Sequence, residues 1–182
     1  RATSAVRLAV MGEDGRILAP NEPGEIVVRG SLVTPGYYNL ADATAEIRTC
    51  GWHHTGDVGY RDHDGFFYIV DRKKDMIITG GFNVFSAEVE SAIMALPEVS
   101  ECAVIGIPDD KWGEAVKAFV VVRQGQSLSE SQVIGYCRER LGGVKCPKSV
   151  EFTLEIPKTP AGKIDRKYLR SSYWLGSERQ VH

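Results

Sequence analysis

The sequence predicts an α+β protein, in which a β-rich first part precedes a compact α+β domain with a small sheet flanked by helices. Short apolar segments separated by turn residues fill the first part, and the Asp-His-Asp-Gly sequence at 62–65 is a strong hairpin signal. From Met76 onward, helical apolar periodicity alternates with the β-branched runs that are typical of buried strands. We therefore divide the chain into residues 1–73 and 74–182.

The first part contains four predicted strands and one short helix. Ile26 and Val28 lie two residues apart, on one face of a predicted strand. We expect a loop at 52–56, because Gly56 lets the chain turn sharply before Asp57 opens a strand. This part is small for an independent domain, so we expect it to be the end of a larger one. The predicted strands are Val6–Val10, Glu25–Arg29, Val58–Arg61 and Phe66–Val70, and the helix is Asp42–Arg48.

The second part alternates strands with helices. Ser86 is expected to cap the first helix, whose apolar residues recur at helical spacing on one face. Ser129 and Gln132 form a capping box for the next helix, which we expect to stop at the Gly-Gly pair at 142–143. The apolar face consists of Val89, Ala92, Ile93 and Leu96. The predicted strands are Met76–Thr79, Ala103–Ile107, Ala115–Val122 and Val150–Leu154, and a last short helix is Asp165–Tyr173.

Composition and charge argue against several classes of protein. The net charge of -2 gives no general basic surface for nucleic acid, although residues 157–170 hold five basic side chains and one acidic. No apolar stretch approaches the roughly 20 residues that a membrane span needs. The four cysteines lack metal-ligand or paired spacing, so we predict no bound metal, free thiols and a reducing, cytoplasmic location.

Three short segments carry candidate chemistry. Asp57 follows a turn and can accept hydrogen bonds from both hydroxyls of a ribose, but an aspartate that only closes a turn fits as well. The charged run at 71–74 is also compatible with a solvated surface. Lys163 follows two prolines and the flexible Gly162, so it can reach an anionic phosphorus centre, and a basic surface loop has the same composition.

In their order and spacing, these segments resemble the C-terminal portion of the AMP-forming acyl-CoA synthetases. That superfamily of adenylate-forming enzymes also contains the luciferases and the adenylation domains of peptide synthetases. The resemblance covers nearly the whole chain, from residue 24 to about residue 170. The segments that match the usual sequence motifs of this superfamily are Gly24–Gly30, Gly36–Asn39, Trp52–Asp57 and Pro108–Glu114.

The resemblance implies roles in nucleotide binding and catalysis. Asp57 would hold the ribose hydroxyls of ATP, and Arg72 would contact the nucleotide near the ribose. Lys163 would be the catalytic lysine, which bridges the substrate carboxylate and the α-phosphate. Lys74 would be the hinge between a large N-terminal domain and a small mobile C-terminal one, and we expect it to be solvent-accessible.

The resemblance also implies a site for coenzyme A. Gly80 and Gly81 would line the pantetheine tunnel in the thioester-forming arrangement. Trp112 would lie near the CoA side, although a loop aromatic that covers the core is the alternative explanation for this residue.

The implied reaction has two steps, with a carboxylic acid, ATP with Mg²⁺, and CoA as substrates. The carboxylate attacks the α-phosphate of ATP to give an acyl-adenylate, and after rotation of the small domain the CoA thiol displaces AMP. The phosphate loop, the magnesium-binding segment and the acyl pocket of the family would belong to an N-terminal domain of the same polypeptide. We therefore expect a C-terminal fragment that is inactive alone and binds no ligand tightly.

Two alternatives remain open at this stage. An adenylation domain of a peptide synthetase is the nearest one, although the Met-Ile-Ile-Thr-Gly-Gly-Phe-Asn sequence at 76–83 is more similar to the CoA ligases. A non-catalytic module that retains the fold is the other, and the retention of Asp57, Arg72 and Lys163 argues against it. Both fatty acids and aryl acids fit as the carboxylic acid.

Overall fold

The computed structural model describes residues 5–175, and it divides into two compact units. The first unit extends to Lys74 and the second begins at Asp75, one residue after the boundary that the sequence analysis places between 73 and 74. A single 3-10 turn at Lys73–Asp75 contains this boundary. Each unit has its own sheet and its own buried clusters.

The first unit is built on a five-stranded antiparallel sheet with β4 at its centre. One edge of β4 pairs with β2, which pairs in turn with β1, and the other edge pairs with β3 and then with β5. A short helix, α1, precedes β3. The elements are β1 Val6–Met11, β2 Gly24–Gly30, α1 Ala41–Glu46, β3 Arg48–Thr49, β4 Trp52–Arg61 and β5 Phe67–Arg72.

The loop predicted at 52–56 is wrong, because these residues are the first half of β4. Gly56 has a φ of 73°, and the strand accommodates it as a bulge instead of ending there. Glu25 of β2 pairs with Val58 and Val27 pairs with His54, so the three residues 55–57 stand opposite one residue of β2. The bulge pushes Gly56 and its neighbours out of the regular pleat.

The second unit has a sheet whose central strand is β9. One edge of β9 pairs with β8 along its whole length, and the other edge pairs with the parallel strand β10 and with β6. Strand β7, which the sequence analysis missed, forms a hairpin with β6. The strands are β6 Ile77–Thr79, β7 Phe82–Val84, β8 Val99–Asp109, β9 Gly113–Val122 and β10 Ser149–Phe152.

Helices cover both faces of this sheet, in agreement with the predicted small sheet flanked by helices. Helices α2 (Ser86–Met94) and α3 (Glu130–Lys145) cover one face through a cluster that includes the predicted apolar stripe of α2. Residues 156–173, with α4 (Arg166–Ser171), cover the other face, where Leu169 packs in a second cluster. The helices therefore hold the sheet between two apolar layers.

The helix ends test the predicted caps. Ser129 accepts a hydrogen bond from the backbone N–H of Gln132, which confirms the capping box. The predicted cap at Ser86 is wrong: Phe85 is the N-cap residue, and Ser86 is a fully buried residue of the first turn. Gly142 interrupts α3 with a φ of 78°, but helical turns continue to Lys145, beyond the predicted stop.

Candidate functional site

Asp57 and Arg72 are direct cross-strand partners on β4 and β5. Arg72 Nε lies 3.4 Å from Asp57 Oδ1. Asp57 is the last residue of the bulge, and its backbone N–H donates to Thr55 Oγ1 at 3.1 Å. Its carboxylate remains partly accessible, with 27% of the side chain exposed, so it can still accept hydrogen bonds from a ligand. The first two predicted nucleotide-binding residues thus lie side by side.

One carboxylate, that of Glu25, supports both members of this pair. It accepts hydrogen bonds from the backbone N–H of Gly56 at 3.1 Å, from His54 Nδ1 at 3.0 Å and from Lys73 Nζ at 3.3 Å. Gly56 directly precedes Asp57, and Lys73 directly follows the arginine of the pair. Glu25 therefore ties together the two backbone segments that carry the candidate nucleotide-binding residues.

The electrostatics of Glu25 follow from these contacts. Burial raises the pKa of its carboxyl, but the hydrogen bond from His54, the charge of Lys73 and the N–H of Gly56 outweigh burial and lower the pKa. The group is therefore ionised at neutral pH. No local signal in the sequence identifies Glu25 as a support of this site, because its partners lie up to 48 residues away along the chain.

Lys74, the predicted hinge, is exposed, as expected. Its two neighbours are each tied within their own unit. Lys73 pairs with Glu25 in the first unit, and the buried Asp75 accepts from Arg170 Nη1 at 3.1 Å in the second unit. The division of the chain therefore falls between two anchored residues.

Gly80 and Gly81 are the two central residues of the turn between β6 and β7. Their φ values of 56° and 79° are those of a type I′ hairpin turn, in which both central residues have positive φ. Two short apolar segments separated by Gly-Gly are a hairpin signal, so the sequence contained the information for β7. The predicted CoA-binding glycines form this tight, exposed turn.

Trp112 lies directly on this turn. The backbone N–H of Gly80 donates to the carbonyl of Trp112 at 2.8 Å, and a Cβ added at Gly80 would be 2.7 Å from Cε3 of the indole. Asp109 Oδ1 accepts from the N–H groups of Lys111 and Trp112, which fixes the connection between β8 and β9. The indole is 46% exposed, so it covers the turn and also offers one surface to solvent.

Lys163 lies on a separate, tight hairpin at 157–165. The N–H of Thr159 donates to the carbonyl of Lys163 at 2.7 Å, and the N–H of Gly162 donates to the carbonyl of Thr159 at 2.8 Å. Gly162 has a φ of 76°. The stiff Pro160 and the permissive glycine therefore close the turn, and the lysine beside it is exposed.

The predicted site residues thus form three groups. Asp57 and Arg72 form a pair in the first unit, the two glycines and Trp112 share one corner of the second unit, and Lys163 occupies its own hairpin. Within residues 5–175, no cluster of three or more His, Cys, Asp or Glu side chains is arranged to hold a metal ion. Among the helices of the same residues, none has the length and apolar character that crossing a membrane requires.

Comparisons with known proteins agree on one group of enzymes. Residues 88–163 match the family model for the AMP-binding enzyme C-terminal domain. The chain is 44% identical to a medium/long-chain-fatty-acid–CoA ligase, FadD8, of Mycobacterium tuberculosis, over 100% of this chain and 33% of that protein. It is 48% identical to a feruloyl-CoA synthase of Amycolatopsis sp., over 92% of this chain and 34% of that protein.

Solved structures give the same result. ATP-bound MatB from Rhodopseudomonas palustris is 38% identical with a TM-score of 0.88, over 94% of this chain and 35% of that one. The o-succinylbenzoate CoA synthetase MenE of Bacillus subtilis, in complex with its acyl-adenylate intermediate, is 34% identical with a TM-score of 0.83. That match covers 98% of this chain and 35% of the other. The chain therefore spans about a third of the length of the relatives it matches.

Proposed function

We propose that this chain, whose residues 88–163 match the family model for the AMP-binding enzyme C-terminal domain, supplies the C-terminal third of an ATP-dependent, AMP-forming acyl-CoA ligase. The relatives named as CoA ligases and synthetases support this assignment at 44% and 48% identity. The observation that carries it is the coexistence, in this order along the chain, of the Asp57–Arg72 pair, the glycine turn beneath Trp112 and the exposed Lys163.

The first unit supplies part of the ATP site in this proposal. Asp57 accepts hydrogen bonds from the ribose hydroxyls, and Arg72 contacts the nucleotide while it offsets the negative charge of Asp57. The first unit also leaves large apolar side chains uncovered: Leu32 is 73% exposed, Tyr38 91% and Ile69 69%. Such exposure supports a role as one part of a larger domain, which would also hold the ATP–Mg²⁺ phosphates and the acid.

The second unit supplies a different group for each half-reaction. In adenylation, the carboxylate attacks the α-phosphate of ATP, pyrophosphate leaves, and the ammonium of Lys163 offsets the charge on the reacting oxygens. In thioester formation, the CoA thiolate attacks the acyl carbonyl of the adenylate and AMP leaves. Gly80 and Gly81 then line the pantetheine path beside Trp112. Rotation about Lys74 removes Lys163 from the reacting centre after adenylation and brings in the glycine turn for thioester formation.

The substrate and compartment follow the same reasoning. Relatives that act on fatty acids and on aromatic acids match this chain about equally well, so we propose a hydrophobic carboxylic acid as the substrate class. The four cysteines all have free thiols, which supports a reducing compartment and hence the cytoplasm. We further propose that residues 1–182 alone release no pyrophosphate from ATP, because the acyl pocket and the phosphate-binding segments belong to the larger domain.

The test uses the full-length gene product with Lys163→Ala. We expect ATP–pyrophosphate exchange to fall by at least about a hundredfold, as for loss of a transition-state charge contact, while thioester formation from preformed acyl-adenylate stays near the wild-type rate. Lys167→Ala is the matched control, because Lys167 is an exposed lysine four residues away on α4. Undiminished exchange in Lys163→Ala would overturn the assignment of this residue.

A further inference from the structure

Two largely buried carboxylates of the second unit have no place in the proposed chemistry. Carboxylates are rarely buried without partners, because removing the charge from water is costly unless hydrogen bonds replace the lost hydration. Glu114 is 6% exposed, and the side chain of Glu90 is 16% exposed. Their partners indicate what each one holds in place.

Glu114 lies next to the glycine turn. It follows Gly113 at the start of β9, and its Oε2 accepts from the backbone N–H of Ile78 at 3.3 Å on β6, the strand that leads into Gly80. The carboxylate sits over Gly106, where an added Cβ would be 2.1 Å from Oε2. A side chain at 106 would therefore displace the carboxylate from the β6 backbone.

The end of the β8–β9 connection and the start of β9 therefore hold the β6–β7 hairpin at two points. The carboxylate of Glu114 holds β6 at Ile78, and the carbonyl of Trp112 holds the turn itself at the N–H of Gly80. Trp112 ends the connection that Asp109 fixes, and Glu114 lies two positions later, at the start of β9. Glu114 is therefore the side chain that holds the strand leading into the glycine turn, beside the backbone contact of Trp112.

Glu90 lies next to the lysine hairpin instead. Both of its carboxylate oxygens accept from Arg166 Nη2, at 2.7 and 2.8 Å, and Oε1 also accepts from the N–H of Val104 at 2.8 Å. Arg166 is the first residue of α4 and comes three residues after Lys163. Glu90 therefore connects α2, β8 and the end of the hairpin that presents the lysine.

The hairpin has a second anchor at its other end. Lys158 Nζ lies 2.9 Å from Glu101 Oε1 on β8, and the N–H of Asp165 donates to the carbonyl of Pro157 at 2.8 Å. The base of the hairpin is thus fixed to β8 on both sides, by Lys158 directly and by Arg166 through Glu90. The side that leads from Lys163 into α4 is thus held by the ion pair of Glu90 and Arg166.

We propose that Glu90 and Glu114 are positioning residues that serve different half-reactions: Glu90 sets the position of Lys163 for adenylation, and Glu114 sets the position of the Gly80–Gly81 turn for thioester formation. This inference rests on the proposed ligase function. It adds two residues to the site and gives each a separable role, because the two carboxylates contact different elements of the same unit.

The test measures both half-reactions in the full-length gene product. Glu90→Gln is expected to slow ATP–pyrophosphate exchange by roughly tenfold or more, the size of effect that loss of a charged hydrogen-bond partner has. Its rate of thioester formation from preformed acyl-adenylate should stay within about twofold of the wild-type rate, because in this proposal Glu90 holds the lysine hairpin and not the glycine turn. Glu114→Gln should show the reverse pattern, so each variant is the control for the other.

A third variant controls for loss of a carboxylate ion pair between elements of the second unit. Glu88→Gln removes a carboxylate that pairs with Lys145 at 2.8 Å and joins α2 to α3. We expect it to leave the ratio of the two half-reactions unchanged. If Glu90→Gln and Glu114→Gln slow both half-reactions by the same factor, or neither, the two residues only stabilise the domain and the inference is overturned.

Two further variants keep the test decisive if a glutamine variant fails to fold. Gly106→Ala displaces the Glu114 carboxylate, and Arg166→Gln removes the partner of Glu90, so each should reproduce the corresponding selective loss. Equal losses in both half-reactions would again overturn the inference. If the proposed ligase function itself is wrong, the result will differ: ATP–pyrophosphate exchange will then be undiminished in Lys163→Ala.

Discussion

Asp57 and Arg72 face each other across β4 and β5, with Arg72 Nε 3.4 Å from Asp57 Oδ1. A carboxylate beside the polyphosphate of ATP would be repelled unless a cation lay close to it. The arginine supplies that cation, and the bulge at 55–57 turns the aspartate out of the regular pleat. In the proposed function, the pair thus combines acceptors for the ribose hydroxyls with a local charge balance.

Asp57→Asn should therefore weaken ATP binding in the full-length gene product. An amide keeps one acceptor oxygen but loses the charged hydrogen bonds, which contribute about 1.5–3 kcal/mol, so KM for ATP should rise roughly tenfold or more. Asp62→Asn is the control, because Asp62 accepts from the Phe66 N–H and the Tyr68 hydroxyl within its own hairpin. Steady-state kinetics check both, and an unchanged KM in Asp57→Asn would remove the residue from the ATP site.

Glu25→Gln should destabilise the first unit at neutral pH and much less in acid. The folded pKa of Glu25 lies below its ordinary value of 4.5, so its ionised form stabilises the fold above that pH, and this contribution disappears as the pH falls through the folded pKa. Removal of the charge should cost about 1–3 kcal/mol at pH 7 because His54 and Lys73 lose their partner.

Urea unfolding of the wild type and of Glu25→Gln, at pH 7 and at about pH 3, measures this difference. The two proteins should differ at neutral pH and converge at acid pH. Glu22→Gln is the comparison, because Glu22 accepts a single hydrogen bond, from the N–H of Ala19, in an exposed turn. A difference that stays constant with pH would show that ionisation of Glu25 does not contribute to stability.

Gly80→Ala should be more damaging than Gly81→Ala. Both glycines have positive φ, which costs a residue with a Cβ roughly 1–2 kcal/mol. Only at Gly80 does the added Cβ also meet the indole of Trp112, at 2.7 Å, whereas at Gly81 it meets no atom within 4 Å. Trp112→Ala should therefore relieve part of the cost of Gly80→Ala and none of the cost of Gly81→Ala. Thermal unfolding of the single and double variants tests this, and equal coupling at both glycines would contradict it.

The four thiols should differ sharply in reactivity. Cys50 is exposed, whereas the other three cysteines are buried. Burial, with the nearby charge of Glu90 as the next cause, raises the pKa of Cys102 to about 12, and burial raises that of Cys137 to about 11, so both stay protonated at neutral pH. Ellman's reagent should label one thiol rapidly in the folded protein, Cys50→Ser should abolish this phase, and denaturant should release the rest. Rapid labelling of Cys102 in the fold would contradict the structure.

The parts of the fold that depend on local signals could be predicted from the sequence. Ser129 and Gln132 are three residues apart, and their capping box forms as predicted. The same kind of local reasoning predicted Ser86 as a helix N-cap, and that prediction is wrong. Packing overrides the local preference, since the serine is fully buried and Phe85 occupies the N-cap position. At Gly56 the local signal was also misinterpreted. A glycine often ends a strand, which led to the predicted loop at 52–56, but here the strand continues and the glycine lies in a β-bulge.

The supports of the site could not be predicted, because they join residues that are distant in sequence. Glu25 reaches Lys73 across 48 positions, and Glu90 reaches Arg166 across 76. Such pairs follow from the register of the sheets and not from any local spacing. The residues that face a substrate in the proposed function are recognisable in short segments, while the residues that hold them emerge only from the fold.

The two ion pairs on either side of Lys74 also set a rule for recombining this chain with its relatives. A gene crossover between codons 74 and 75 leaves Lys73 with its own Glu25 and Asp75 with its own Arg170. A crossover one codon before Lys73 separates the first pair between two parents, and one just after Asp75 separates the second. Functional hybrids should therefore cluster at the two junctions that flank codon 74, and libraries with a junction shifted further in either direction should yield fewer active proteins.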